Sequence, residues 1–186
     1  MKIIFMESNN QQKITASKTF DVPVEALYTA WTDGEQLKQW WKPSGLTLSE
    51  VQNEISEGGK IAYRFEGADG QGLTINGTYQ EVTPQERLVY TWNWQLPDEK
   101  LNSSYKLEVV FKPSGSGSSI EISQQEEEQQ ESVKPKASAW DEELDHLAEF
   151  LSGTQSAAGG NDASSTDMDQ EGKPDYGSQN PLQDQE

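Results

Sequence analysis

Trp92 and Trp94 stand two residues apart beside Tyr90, and Tyr63 with Phe65 repeats that spacing upstream. Together with Tyr79 and Trp140, these are large rings whose faces can enclose an apolar guest, while their hydroxyl and indole N–H groups hold its polar end. The same rings serve equally well as plain core, and the sequence leaves both readings open. Acid–base catalysis needs a titratable group inside such a site, and nucleophilic catalysis needs an activated Ser, Cys or Lys beside a base. Every strand position that alternation turns inward is apolar, aromatic, glycine or phenolic, apart from Lys18. Arg64 points away from Tyr63 and Phe65, and Arg87 stands at a strand start. The one histidine, His146, falls about 120° off the apolar stripe of its segment at a helical step of ~100°, which makes it a solvated or rim residue. One histidine and no cysteine also rule out a metal cluster built from those ligands. No catalytic constellation, no metal and no cofactor is expected.

Something must hold those rings together, and the last amphipathic stretch is the first candidate. Val133, Ala137, Trp140, Leu144, Leu147 and Leu151 share one stripe at a period of 3.6, with Asp141, Glu142, Asp145 and Glu149 opposite. Pro135 suits a first helical turn and Gly153 a left-handed cap, so the pattern predicts a helix over 133–151. At the other end, Ile14, Ala16, Lys18 and Phe20 alternate with polar residues as a first strand. Asp21 then stands as a helix cap with Pro23 in the first turn, and Ala26, Leu27, Ala30 and Trp31 fall at helical spacing until Thr32-Asp33-Gly34. A second short helix carries Leu37, Trp40 and Trp41 before Pro43.

Six further strands follow, at 46–55, 60–66, 73–81, 87–95, 104–112 and 119 to about 125. Gly58-Gly59, Asp69-Gly70, Thr83-Pro84, Pro97-Asp98 and the glycine-serine stretch 114–118 supply the turns between them. Ile61, Tyr63 and Phe65, then Leu73, Ile75, Gly77 and Tyr79, then Leu88, Tyr90, Trp92 and Trp94, then Tyr105, Leu107, Val109 and Phe111, and finally Ile120 and Ile122 alternate onto one face. Short turns between sequential strands predict an antiparallel meander. Seven strands at ~4.8 Å make a sheet roughly 30 Å wide, and a helix of the predicted length at ~1.5 Å per residue crosses it. An antiparallel sheet with one apolar face needs that cover, so the pattern predicts an α+β fold: a curved sheet of about seven strands wrapped on a long C-terminal helix.

The flanks differ in composition. Residues 1–12 lack an apolar stretch of useful length, so they read as a flexible lead-in, neither signal peptide nor membrane span. From 153 to 186 the chain turns to Gly, Ser, Gln, Asn, Asp and Pro, which cannot offset the entropy of ordering, and is expected to be a disordered acidic tail. Gln124 to Glu131 reads as a polar linker into which the last strand frays. Thirty-two acidic against 14 basic residues give a net charge of −18. That repels nucleic acid and anionic membranes, and the excess reads as solubility, as self-repulsion that keeps the protein a monomer or weak dimer, or as adaptation to a salty cytoplasm. Absence of cysteine favours a reducing compartment, and a cytoplasmic location is expected.

These residues, taken in order, resemble a known family. Asp21-Val22-Pro23, Trp31-Thr32-Asp33, Leu37, Trp40-Trp41 with Pro43, the Gly58-Gly59 turn, Gly77-Thr78-Tyr79 with Glu81, Pro84 with Arg87 to Trp92, and Trp140 are similar to the activator of heat-shock protein 90 ATPase-like family. That family belongs to the START-like (SRPBCC) superfamily of helix-grip folds. The resemblance spans about residues 13–152 and implies strand, two helices, six strands and a long terminal helix, with an apolar cavity between helix and sheet. In the wider superfamily such a cavity takes lipids, sterols, polyketides or similar molecules. The acidic tail and the Gln- and Glu-rich end of the last strand depart from the family pattern.

On this reading the cavity would be lined by Trp41, Ile61, Tyr63, Phe65, Ile75, Tyr79, Tyr90, Trp92, Trp94, Leu107, Val109, Trp140, Leu144 and Leu147. Burying on the order of 250 Å² of apolar ligand surface gains ~6 kcal/mol against an association cost of roughly 4 kcal/mol or more. Apolar contact alone therefore binds weakly, and micromolar affinity needs tyrosine hydroxyls, indole N–H groups or Lys18 as polar handles. Binding of a small hydrophobic molecule ranks first, a chaperone-associated adaptor second, and a cyclase- or hydrolase-type enzyme using the same cavity third.

Overall fold

The computed structural model describes residues 13–68, 70, 72–95, 102–127 and 137–158. Strand β1 (Lys13–Phe20) is followed by helices α1 (Val24–Thr32) and α2 (Gly34–Trp40) and a 3-10 turn at Pro43–Gly45. Then come β2 (Thr47–Asn53), β3 (Lys60–Glu66), β4 (Gly72–Thr83), β5 (Arg87–Gln95), β6 (Asn102–Ser114), β7 (Gly117–Glu126) and the terminal helix α3 (Ala137–Ala158). The strands form one antiparallel sheet in the order β1-β7-β6-β5-β4-β3-β2. β2 to β7 are the predicted meander, and β1 closes the order by pairing with β7, Ala16 opposite Ile122. This is the α+β layer that the alternation and the terminal stripe predict, and the helix-grip architecture that the family resemblance implies.

The period-2 pattern places the core. β3 is buried at Ile61, Tyr63 and Phe65, and β5 at Leu88, Val89, Tyr90 and Trp92. One apolar cluster joins these, Val89 apart, to Leu27, Ala30 and Trp31 of α1, Leu37 and Trp40 of α2, and Trp140, Leu144, Leu147 and Leu151 of α3. Two bulges bend the sheet. Ser49 is the extra residue between Leu48↔Phe65 and Glu50↔Arg64, and Gln80 the extra residue between Tyr79↔Tyr90 and Glu81↔Val89. Gly77 sits just before the second bulge, where an added Cβ would lie 1.9 Å from the Thr91 carbonyl oxygen, so only glycine lets β4 and β5 approach there.

Several local expectations change. Asp21 makes no cap; the N-cap of α1 is Pro23, and the Asp21 carbonyl accepts a bond from Gln155 Nε2 at 2.6 Å. The capping carboxylate is Asp33, which ends α1 and accepts from Gln36 N at 2.9 Å to start α2. Gly153 does not terminate α3, which runs on to Ala158. Ser152, Thr154 and Ser156 bond back to carbonyls of their own helix, and Gln155 anchors the last turn to Asp21. The expected tail thus loses 153–158 to the helix, while 159–186, the lead-in 1–12 and the predicted first turn at 133–136 lie outside the described residues. β7 does not fray at Gln124. It continues to Glu126, with Gln124 opposite Leu107 and buried.

Candidate ligand site between helix and sheet

The expected lining residues do meet in one layer. Trp41, Ile61, Tyr63, Phe65, Ile75, Tyr79, Tyr90, Trp92, Leu107, Val109, Trp140, Leu144 and Leu147 are all buried in the common cluster, and Trp94 is half-buried against it. Trp92 is the hub. Its ring stacks on Trp41 at a centroid distance of 5.2 Å and lies 5.9 Å from both Tyr90 and Trp140, and 6.4 Å from both Tyr63 and Trp94. Trp41 in turn meets Tyr63 at 5.1 Å and Phe65 at 5.2 Å, both edge-on. Sequence reasoning left out Trp31, Trp40 and Phe111, although helical spacing and strand alternation already marked them as inward. Trp31 stacks on Trp140 at 6.0 Å and also touches Trp40 and Phe111. At these separations the rings are in contact, so in this conformation they occupy the centre of the layer themselves.

Two open hollows lie elsewhere. One of about 620 Å³ runs along β3 and the start of β4, bordered by Arg64, Glu66 and Gly72 as well as Tyr63 and Phe65. The other, of about 540 Å³, lies between α1, α2 and the end of α3, bordered by Ala26, Gln39 and Phe150.

The polar atoms of the layer sort into two groups. Some are spent on holding the fold. Trp40 Nε1 donates to the Ala30 carbonyl at 2.9 Å, and Tyr79 OH to Asn53 Oδ1 at 2.7 Å, while Asn53 Nδ2 donates to the Thr32 carbonyl. Trp31 Nε1 donates to Tyr90 OH at 3.3 Å, and Trp140 Nε1 to Gln124 Oε1 at 2.9 Å, which ties α3 to β7. The others have no partner among the described residues: Trp92 Nε1, Trp94 Nε1, Tyr105 OH and Gln124 Nε2 are buried and unbonded there. An unpaired buried donor costs about 1–3 kcal/mol, so each needs an explanation.

Burial pushes the phenols of Tyr63 and Tyr90 well above their usual range, helped by neighbouring tyrosines, and raises Tyr79 against the bond to Asn53. All three therefore stay protonated at neutral pH and act as hydrogen-bonding groups, not as bases. Lys18, the one inward cation, is turned to the rim by an ion pair with Asp145 of α3. The buried charge in this region is Glu143, which sequence reasoning missed. Its Oε2 accepts from Lys42 N at 3.1 Å, joining α3 to the end of α2, and burial raises its carboxyl above the ordinary range. His146 Nδ1 lies 3.6 Å from the same oxygen, too far for a hydrogen bond, and its ring is partly exposed, as its rim position predicts. Glu143 flanks the apolar stripe by position, and its bond from Lys42 N comes from a segment 101 residues away in the chain. Among the described residues no group of three or more His, Cys, Asp or Glu side chains is placed to hold a metal ion.

Solved structures share this architecture. A protein of Chromobacterium violaceum superposes with a TM-score of 0.65 at 25% identity, covering 75% of this chain and 96% of its own. A protein of Rhizobium loti does so at 0.64 and 20% identity, covering 76% and 97%. An AHSA1 protein of Silicibacter pomeroyi gives 0.61 at 21% identity, covering 76% and 99%. No curated protein matches the sequence significantly. The sequence profile described as Activator of Hsp90 ATPase homolog 1-like protein matches residues 21–152, from the β1–α1 junction to the end of the apolar stripe of α3, and the chain belongs to that family.

Proposed function

We propose that this protein binds a small, largely apolar molecule in the layer between α3 and the concave face of the sheet, without chemical turnover. One observation carries the reading: the middle of that layer is built from tryptophan and tyrosine with their polar atoms inside. A layer serving only as core is filled more cheaply by Leu, Ile and Val, which bring no polar atom to satisfy. Trp41, Trp92 and Trp140 offer ring faces, and Ile61, Ile75, Leu107, Val109, Leu144 and Leu147 complete an apolar wall. Because the rings touch in this conformation, a guest enters by parting them, which lowers affinity below what its buried area would give and favours compact, flat molecules over long chains. Neutral phenols at Tyr63, Tyr79 and Tyr90 suit hydrogen bonding and give no base for turnover.

Titration of intrinsic tryptophan fluorescence with lipids, sterols and flavonoids tests this directly, since the indoles that would contact the guest report on it. A saturable change with at least one class in the micromolar range is expected, and a flat response across the panel refutes the reading. A second reading, an adaptor to a chaperone, is favoured by the family's description. It predicts co-purification with heat-shock protein 90 and a stimulated ATPase rate, neither of which ligand binding alone produces. The place of action we propose is the cytoplasm, as a monomer or weak dimer. The absence of cysteine and the net charge of −18 support this, and no helix among the described residues is long and apolar enough to cross a membrane.

A further inference from the structure

Four residues whose buried polar atoms have no partner among the described residues hold neighbouring positions on β5, β6 and β7. In the sheet register Trp92 faces Tyr105 across β5 and β6, Trp94 follows two residues on along the same face, and Gln124 of β7 sits opposite Leu107, one inward position from Tyr105. Gln124 is 1% exposed, Trp92 2% and Tyr105 3%, and the half-buried Trp94 has its indole nitrogen covered. Trp140 of α3 donates its own N–H to Gln124 Oε1, the amide acceptor of the group. What remains is two indole N–H groups, an amide NH₂ and a hydroxyl: three donors that cannot accept and one group that can do either.

We propose that these neighbouring positions form a head-group subsite for a neutral hydrogen-bond acceptor, such as the carbonyl oxygen of a ketone, ester or quinone on an otherwise apolar ligand. The inference rests on the ligand-binding reading above and adds the chemical class of the ligand's polar end. A carbonyl oxygen has two lone pairs and no proton, which complements donors and leaves nothing unpaired in return. An anion fits less well. None of the four groups carries a charge, Lys18 is paired to Asp145, and the chain's net charge of −18 opposes a carboxylate. A hydrocarbon would bury the same donors unsatisfied.

The test uses the full-length protein and three probes of one skeleton: tetralin, 1-tetralone and tetralin-2-carboxylate. The readouts are the indole N–H resonances in nitrogen-15 spectra and the dissociation constants from the same titrations. Tetralone is expected to bind about tenfold more tightly than tetralin, the worth of one or two neutral hydrogen bonds, and to move the Trp92 and Trp94 N–H protons downfield, which tetralin does not. Tetralin-2-carboxylate is expected to bind more weakly than tetralone. Tyr105→Phe removes a hydroxyl without a partner among the described residues, so the unliganded variant should melt at the same temperature or higher while its preference for tetralone shrinks several-fold. A structural hydroxyl would instead lower the melting temperature, and that result overturns the subsite. Equal affinity for tetralin and tetralone overturns it too, because the donors are then served by water or by nothing, while the ligand-binding reading stands. Tighter binding of the carboxylate overturns the neutral head group. If no probe perturbs the spectrum, the ligand-binding reading falls and the subsite with it.

Discussion

The bond from Trp140 to Gln124 ties α3 to β7, the strand beside the edge strand β1, and a double-mutant cycle measures it. Trp140→Phe keeps a ring against Trp31 and Trp92 but removes the donor that Gln124 Oε1 accepts at 2.9 Å. Replacing indole by phenyl loses roughly 40 Å² of buried apolar surface, ~1 kcal/mol. Leaving the amide oxygen of a 1% exposed glutamine unpaired adds about 1–3 kcal/mol. The single variant should therefore lose about 2–4 kcal/mol. Gln124→Leu strands the indole N–H at a similar cost but buries an added apolar side chain, for a net loss of about 0–2 kcal/mol. In the double variant both polar groups are gone, so its loss should fall short of the sum of the singles by about 1–3 kcal/mol. Urea unfolding followed by far-ultraviolet circular dichroism suits the cycle, because removing a tryptophan does not alter that signal's basis. Additivity within about 0.5 kcal/mol would refute the reasoning and leave apolar contact alone to hold the helix.

Two further outcomes follow from the geometry. Gly77→Ala sets a Cβ 1.9 Å from the Thr91 carbonyl, forcing β4 from β5 beside the bulge; it should cost about 3 kcal/mol or more in the same assay, and a loss under 1 kcal/mol would mean the strands separate freely there. Glu143 has its carboxyl raised by burial, so its protonated form is the one the fold favours. Its contribution to stability is complete below the ordinary carboxylate range near 4.5 and is lost as pH rises through the raised value. Glu143→Gln keeps an acceptor for Lys42 N and removes the charge, so the variant should be more stable than the wild type at pH 7 and equal to it in acid. Thermal melts from pH 4 to pH 8 check this, and a variant less stable at pH 7 would show that the ionised carboxylate is favoured.

The elements were legible in the chain because their signals are local. Alternation at Ile61, Tyr63 and Phe65, or at Tyr90, Trp92 and Trp94, needs only the two-residue period of a strand, and the stripe from Trp140 to Leu151 needs only the helical one. Gln124 shows where reading by composition misled. Its position two residues beyond Ile122 turns it inward by the same alternation, but its neighbours are Gln and Glu, and the segment read as a linker. Asp21 was misplaced as a cap for a related reason: the residue type was right, but capping depends on backbone geometry at Pro23 that composition does not report.

By itself, then, the sequence determined which residues form strands and helices, which faces are apolar, and that the interior would be aromatic and nearly free of charge. The tertiary structure decided what those interior groups do to one another. Contacts between Trp31 and Trp140, between Lys42 N and Glu143, and between β1 and β7 join positions far apart in the chain. Whether a buried N–H finds a partner is settled by the meeting of such distant segments. That is why the pairing of Trp140 with Gln124, and the lack of a partner among the described residues for the polar atoms of Trp92, Trp94 and Tyr105, became visible only in the folded chain.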